Sequence, residues 1–391
     1  MEGRGVPSHA AQCCRRLWDA GFQAYPVGGC VRNLLLGRLP LDWDVAASAL
    51  PEQVMALFPR CVPTGVRHGT VTVLLPGGAV EVTTFRTEGG YSDGRHPDAV
   101  SFRATLREDL ARRDFTVNAM ALDRDGTVID LFGGQADLAR GLLRCVGDPD
   151  RRFGEDALRM FRAVRFCAQL DFTPAPGLSD AIRRNAARAA ALSAERVQGE
   201  LERILLSHRP ALAGRLFDLG LMARWTGGVP MHPEQLAQLP PGRLERWAGL
   251  CGALPDACTP AGAERFLSSL RLDRRLLRAC TAGAQLRQAG LPRDGAGWRR
   301  ALARLGRDGC RAGAAMEGAA ALGQLERLLE LDPCVTVGQL ALSGSDLAAL
   351  GLRGRAIGAA QHRLLRHVLD FPEDNRRDRL LELLDVPAGD A

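Results

Sequence analysis

The chain has 391 residues, 46% of them hydrophobic, which is enough to bury a substantial core and to build more than one domain. No apolar run approaches a membrane span and the opening MEGRGVPSHAAQCC lacks a secretory signal's apolar stretch, so a soluble, cytoplasmic protein with no membrane partner is expected. It has no lysine: 51 arginines face 45 acids for a formal charge of +6, a balance that permits a nucleic-acid partner without demanding one.

In chain order, residues 10–21 read as an amphipathic helix, 25–27 as a strand and 31–36 as a helix. Gly28-Gly29 lies between the last two, a corner where backbone N–H groups can approach a triphosphate while Arg32 aims its guanidinium at the same oxygens. Residues 42–46 read as a strand. If residues 41–45 are extended, Leu41, Trp43 and Val45 point into the core, and Asp42 and Asp44 share the other face, close enough to share divalent cations. Two Mg²⁺ ions on such a pair can clamp an attacking hydroxyl and a leaving pyrophosphate in line, so nucleotide polymerisation is the first reading. Each motif alone also describes a turn or surface acids.

Residues 70–75 and 79–85 flank Pro76-Gly77-Gly78 as a hairpin, and 100–102 and 128–130 are short extended pieces. Alternation puts Glu81 either beside the two aspartates as a third acid or in a cross-strand or solvent role. Residues 112–121, Arg-Arg-Asp-Phe-Thr-Val-Asn-Ala-Met-Ala, read as a polar cluster leading into a helical stretch. Asp114 suits that helix as a cap; the functional reading gives Arg113 a phosphate and Asn118 a ribose hydroxyl. Residues 130–134 form a strand end and a flexible corner.

From Phe153 onward the pattern is helical, with periodic segments at 157–170, 179–191, 194–206, 212–219, several between 243 and 331, and a final cap at 336–384 broken at Ser343-Gly344 and Phe371-Pro372. Within residues 155–165 the polar positions Glu155, Asp156, Arg159, Arg162 and Arg165 form one stripe opposite Ala157, Leu158, Phe161 and Val164. A solvated, salt-bridged face is one account. Base chemistry supplies another: cytosine and adenine both pair an exocyclic amino donor with an unprotonated ring nitrogen, so Asp156 accepting and Arg159 donating would take C and A and refuse U and G. Arg162 and Arg165 would hold the triphosphate or brace the two readers. The 11 cysteines have no Cys-x-x-Cys spacing and read as buried apolar residues.

Taken together, 28–32, 42–44, 81–86, 112–121, 130–134 and 155–165 resemble, in order, the motifs of class II tRNA nucleotidyltransferases, the CCA-adding enzymes, and of the bacterial poly(A) polymerases that share their core. Residues 343–375 are similar, more weakly, to the tail of the Gram-positive branch. The resemblance implies an α+β fold: a polymerase β-like nucleotidyltransferase head with a mixed sheet, 1–145, then an all-α neck, 146–210, body, 211–331, and tail, 332–391. It implies Mg²⁺ on Asp42 and Asp44, phosphate or nucleotide contacts from Gly29, Arg32, Arg113, Arg162 and Arg165, and reading of C and A by Asp156 and Arg159. CTP and ATP are the implied substrates and the 3′ end and acceptor region of tRNA the implied partner; a homodimer stays open. Partial (CC or A) addition, poly(A) synthesis and a non-catalytic RNA-binding protein are the alternatives, and residues 87–111, with Tyr91–Pro97 at their centre, favour full CCA addition. Two positions depart from the motifs: Asn33 stands where aspartate is usual, and Leu131 where proline is common.

Overall fold

The computed structural model describes residues 5–89, 99–101, 104–231 and 233–384. The centre of 87–111, including Tyr91–Pro97, lies outside the described residues. The chain divides into two compact units, Met1–Glu200 with Arg215–Arg224, and Leu201–Gly214 with Trp225–Ala391.

The first unit opens with α1 (Ser8–Asp19), which buries Ala10, Ala11, Cys13, Cys14 and Leu17, the spacing of one helical face. β1 (Ala24–Pro26) leads through Gly28 into α2 (Gly29–Leu35), and β2 (Asp44–Ala47) follows. After α3 (Pro51–Leu57) come β3 (Cys61–Gly65), β4 (Thr70–Leu75) and β5 (Gly78–Thr84). These strands form one mixed sheet in the order β1-β2-β5-β4-β3, in which β2 and β5 are parallel and the other pairs antiparallel. Its register sets Asp44 opposite Glu81. β2 is buried at Val45, Ala46 and Ala47, as befits an inner strand.

β6 (Thr87–Gly89) pairs with β7 (Ala99–Ser101), α4 (Leu106–Ala111) follows, and β8 (Met120–Leu122) pairs with β9 (Val128–Asp130). Val27, Ala46, Phe85, Leu110, Ala119, Ala121 and Val146 pack into one core between these pieces, with Tyr25 stacked on Phe85. The unit continues with α5 (Gly134–Ala139), β10 (Leu142–Leu143), α6 (Pro149–Glu155), α7 (Leu158–Leu170), β11 (Thr173–Pro174) and α8 (Leu178–Asn185).

Three local expectations change. Residues 41–43 are not strand: β2 starts at Asp44, and Leu41 is 95% exposed instead of buried, because pairing with β1 and β5 reaches only to Val45 and Asp44. Residues 112–121 are not helix: a 3-10 turn at Thr116–Asn118 runs into β8, where the ladder to β9 overrides the helical propensity of Ala-Met-Ala. Nor is 155–165 one helix. Asp156 breaks it in an extended conformation, and α7 is buried around most of its circumference, Arg159, Met160 and Arg165 included.

The second unit is helical, with Arg243–Gly252, Pro260–Ser269, Arg274–Gln288, Gly295–Glu317 and Ala319–Glu330 followed by Gly344–Ala349, Arg355–Asp370 and Arg377–Glu382. Side-chain caps start four of them: Thr259, Asp273, Asp294 and Ser343 each accept a hydrogen bond from a backbone N–H of the first turn. Trp247 is fully buried, and its indole N–H donates to Glu202 at 3.0 Å. Eight of the 11 cysteines are buried.

Candidate active site

Gly28 adopts φ 77° and ψ −129°, a conformation closed to L side chains. A Cβ there would lie 2.8 Å from Nη1 of Arg113 and 3.8 Å from the Asp44 carboxylate. Glycine thus lets a guanidinium and a carboxylate meet over the backbone. The Gly28 N–H donates to Met120 O at 3.2 Å, tying the corner to β8, and Gly28 O accepts from Arg32 N at 3.1 Å. Gly29 opens α2, whose first-turn N–H groups cannot be satisfied within the helix.

Asp44 begins β2 beside Glu81 of β5, and adjacent in-register residues project from the same face. Burial pushes the Asp44 carboxyl above the usual carboxylate range; Arg113 opposes this, while Glu81 and Asp42 add to it. Asp44 therefore feels both other acids, Asp42 from the exposed bend before the strand. Among the described residues no group of three or more metal-binding side chains is preassembled. A hard cation such as Mg²⁺ keeps several waters and needs only one or two carboxylates plus phosphate oxygens, so this donor set suits it.

Asp109 of α4 is fully buried and accepts from Arg112 at 2.7 and 3.0 Å and from Arg113 at 3.2 Å. Arg32 donates to Oδ1 of Asn118 at 2.5 Å and to Oδ1 of Asn33 at 3.0 and 3.2 Å. Asn33 bonds this guanidinium through its side chain, so the acceptor there is neutral where the related motifs place a charge. The Asn118 amide donates to Asp114 at 3.1 Å, and Asp114 accepts from Arg162 at 2.7 and 2.6 Å. Burial would raise the Asp114 carboxyl, but Arg162, Asn118 and Arg159 outweigh it and hold it at about 2. Asp114 caps no helix; it organises this network. Phe166 lies under three guanidiniums, those of Arg32, Arg162 and Arg165, at 5.2, 5.3 and 4.3 Å.

Arg159 N donates to Asp156 O at 3.1 Å, but the two side chains take separate partners. Arg159 donates to Glu155 at 2.6 Å, to Arg152 O at 3.1 Å and to Arg112 O at 2.9 Å. Asp156 accepts from Leu158 N at 3.0 Å, closing the start of α7, and from Arg196 at 2.7 Å. Arg165 pairs with Glu200 at 3.1 Å. Asp130 receives the N–H groups of Phe132, Gly134 and Gln135, so the corner after β9 is an anchored helix start, with Leu131 facing outward.

The structure thus gathers Gly29, Arg32, Asp44, Glu81, Arg113 and Asn118 at one end of the sheet and links them through Asp114 to Arg162. Asp109, Phe166 and Arg196 were not singled out from sequence. Asp109 had a readable signal in its spacing of three and four residues from two arginines; Arg196, 40 residues from Asp156, had none.

The Poly A polymerase head domain family matches residues 24–144, and the family described as "Probable RNA and SrmB- binding site of polymerase A" matches 171–226. The CCA-adding enzyme of Limosilactobacillus fermentum is 38% identical over 396 residues, covering 94% of each chain. That of Geobacillus thermodenitrificans is 48% identical over 247 residues, and there the match spans 61% of the relative's length. Among solved structures, the Bacillus stearothermophilus CCA-adding enzyme in complex with CTP superposes with a TM-score of 0.77 at 36% identity, over 96% of both chains. The Thermotoga maritima CCA-adding enzyme complexed with tRNA shares the fold, with a TM-score of 0.72 at 19% identity over 97% of this chain and 96% of that one. With a poly(A) polymerase head domain and 38% identity sustained over 94% of its length, this chain belongs to the CCA-adding enzyme family.

Proposed function

We propose that this chain adds C, C and A to the 3′ end of tRNA from CTP and ATP, releasing pyrophosphate at each step. The observation that carries the reading is the pairing of Asp44 with Glu81 beside the Gly28-Gly29 corner, with Arg113 lying over that corner. An anion-binding corner next to a strand-end carboxylate suits phosphoryl transfer, in which positioning and charge stabilisation do most of the work. The family relatives, and the related enzyme bound to CTP, support the choice of substrates.

In each step the tRNA 3′-hydroxyl attacks the α-phosphorus of the nucleotide, a new P–O bond forms, and the bond to the β-phosphate oxygen breaks. Arg32 and Arg113 hold the triphosphate at the corner, Gly29 lets it approach, and Asn118 offers its remaining N–H to the ribose. Asp42 and Asp44, with Glu81 as third acid, would hold Mg²⁺, which when bound lowers the pKa of the hydroxyl and screens the departing pyrophosphate. Base reading falls to Asp156 and Arg159. Three of Arg159's five N–H groups are committed to Glu155, Arg152 and Arg112, which leaves Nε–H and one Nη2–H for a ring nitrogen. Arg162 and Arg165 brace these readers through Asp114 and Glu200. In this reading head (1–145), neck (146–210), body (211–331) and tail (332–391) divide the work, the last two gripping tRNA by its backbone and shape.

The test is incubation with Mg²⁺ and a tRNA transcript lacking its 3′ end, supplied with CTP, ATP or both. Growth by two residues with CTP and by three with both is expected. A stop at two in every mixture, or a long ladder with ATP alone, would move the assignment to CC addition or poly(A) synthesis.

A further inference from the structure

Asp109 has no place in the chemistry described so far, yet it is among the most deeply buried acids in the first unit. It sits in the last turn of α4, three and four residues ahead of Arg112 and Arg113, so helical geometry brings both guanidiniums to one carboxylate. Burial alone would raise its pKa; Arg113 and Arg112 outweigh this and hold it below the usual carboxylate range, so it is an anion with two cations on it. One negative charge between two positive ones leaves the cluster with a net positive charge. The geometry shows where that charge points: Nη2 of Arg113 is held by Asp109, and Nη1 reaches over Gly28 toward Asp44. The Nε of Arg113 is buried and has no hydrogen-bond partner, so Asp109 is the side-chain anchor that the described structure gives this guanidinium. The other half of the cluster leads to the base readers, because Arg112 O accepts from Arg159 at 2.9 Å.

We propose that Asp109 is a positioning residue for nucleotide binding: it aims the Arg113 guanidinium at the phosphates of the incoming CTP or ATP and keeps it from collapsing onto Asp44. This rests on the nucleotide-transfer reading above. Without that anchor, Arg113 still faces Asp44 across Gly28, and a guanidinium drawn onto that carboxylate would occupy both the phosphate site and the cation site.

Steady-state C addition to a truncated tRNA transcript, with CTP and tRNA varied in turn, tests this on wild type, Asp109→Asn, Arg113→Ala and the double variant. Asp109→Asn is expected to raise the KM for CTP about tenfold while the KM for tRNA stays within about twofold. The double variant is expected to be no worse for CTP than Arg113→Ala alone, since Asp109 acts through Arg113. A merely structural role would lower the active fraction, and so kcat, with the KM for CTP unchanged; that result, or additive effects in the double variant, overturns the proposal. If Asp109→Asn shows no cooperative melt, Asp109→Glu keeps the charge and displaces it by one methylene, and an unchanged CTP KM there is equally fatal. CTP binding measured by calorimetry separates the two claims. A wild type that binds CTP and adds nothing refutes the transfer reading alone and leaves the tenfold loss of affinity in Asp109→Asn as the test; a wild type that binds no CTP refutes both.

Discussion

Asp44 is a carboxyl that the fold holds above its ordinary range, chiefly by burial, and a protonated acid cannot hold a cation. At fixed Mg²⁺ the rate of C addition should therefore fall on the acid side at a higher pH than an ordinary carboxylate would give, and raising Mg²⁺ should shift that fall downward; rate profiles at two Mg²⁺ concentrations check this. Asp44→Asn should lose on the order of 10²-fold or more in single-turnover addition while keeping CTP affinity and an equal or higher melting temperature, because the replaced group is disfavoured in its charged form. Asp114 behaves in the opposite sense. Its folded pKa of about 2 lies below the unfolded value, so its stabilisation is present above the unfolded pKa and is lost as pH falls through the folded one. Asp114→Asn should cost about 2 kcal/mol at neutral pH and progressively less in acid, read from urea midpoints across that range.

At the scale of elements, α5 and the Thr116–Asn118 turn are pressed together: a Cβ on Gly134 would lie 2.4 Å from Thr116 O, and the Thr116 hydroxyl donates to buried Asp137 at 2.6 Å. Gly134→Ala should cost about 1–3 kcal/mol and, by displacing Asn118, raise the KM for CTP; calorimetry and kinetics on one preparation would show whether the two changes travel together. This turn also marks where sequence reading stops. The hairpin of β4 and β5, the strand carrying Asp44 and the helical second half follow from local pattern, since alternation and turn residues are carried in a few adjacent positions; the parallel pairing of β2 with β5 does not. Met120, Ala121 and Leu122 do not, because their strand exists only through pairing with residues 128–130 and through Val27 and Gly28. The partners of the Asp156 and Arg159 side chains were hidden from the sequence for a similar reason. Four-residue spacing describes Glu155 and Arg159, which do bond, whereas the helix break that separates Asp156 is stabilised by Arg196, far along the chain.

For the whole molecule, tRNA binding by backbone and shape should be strongly salt-dependent: the KM for tRNA should rise on the order of tenfold or more between about 50 and 200 mM KCl, while that for CTP changes much less. A salt-insensitive tRNA KM would argue against a phosphate-dominated grip. The lysine-free chain carries its strong side-chain cations as guanidiniums throughout, including Arg32 and Arg113 at the corner and Arg162 and Arg165 over Phe166. A guanidinium does not titrate in any pH range where the protein is folded, so the pH response of this site is set by its acids. Nor does it accept an acetyl or ubiquitin group in the way an ε-amine does. Acylation of lysine side chains, one way in which RNA-binding proteins are tuned, therefore has no handle on this chain.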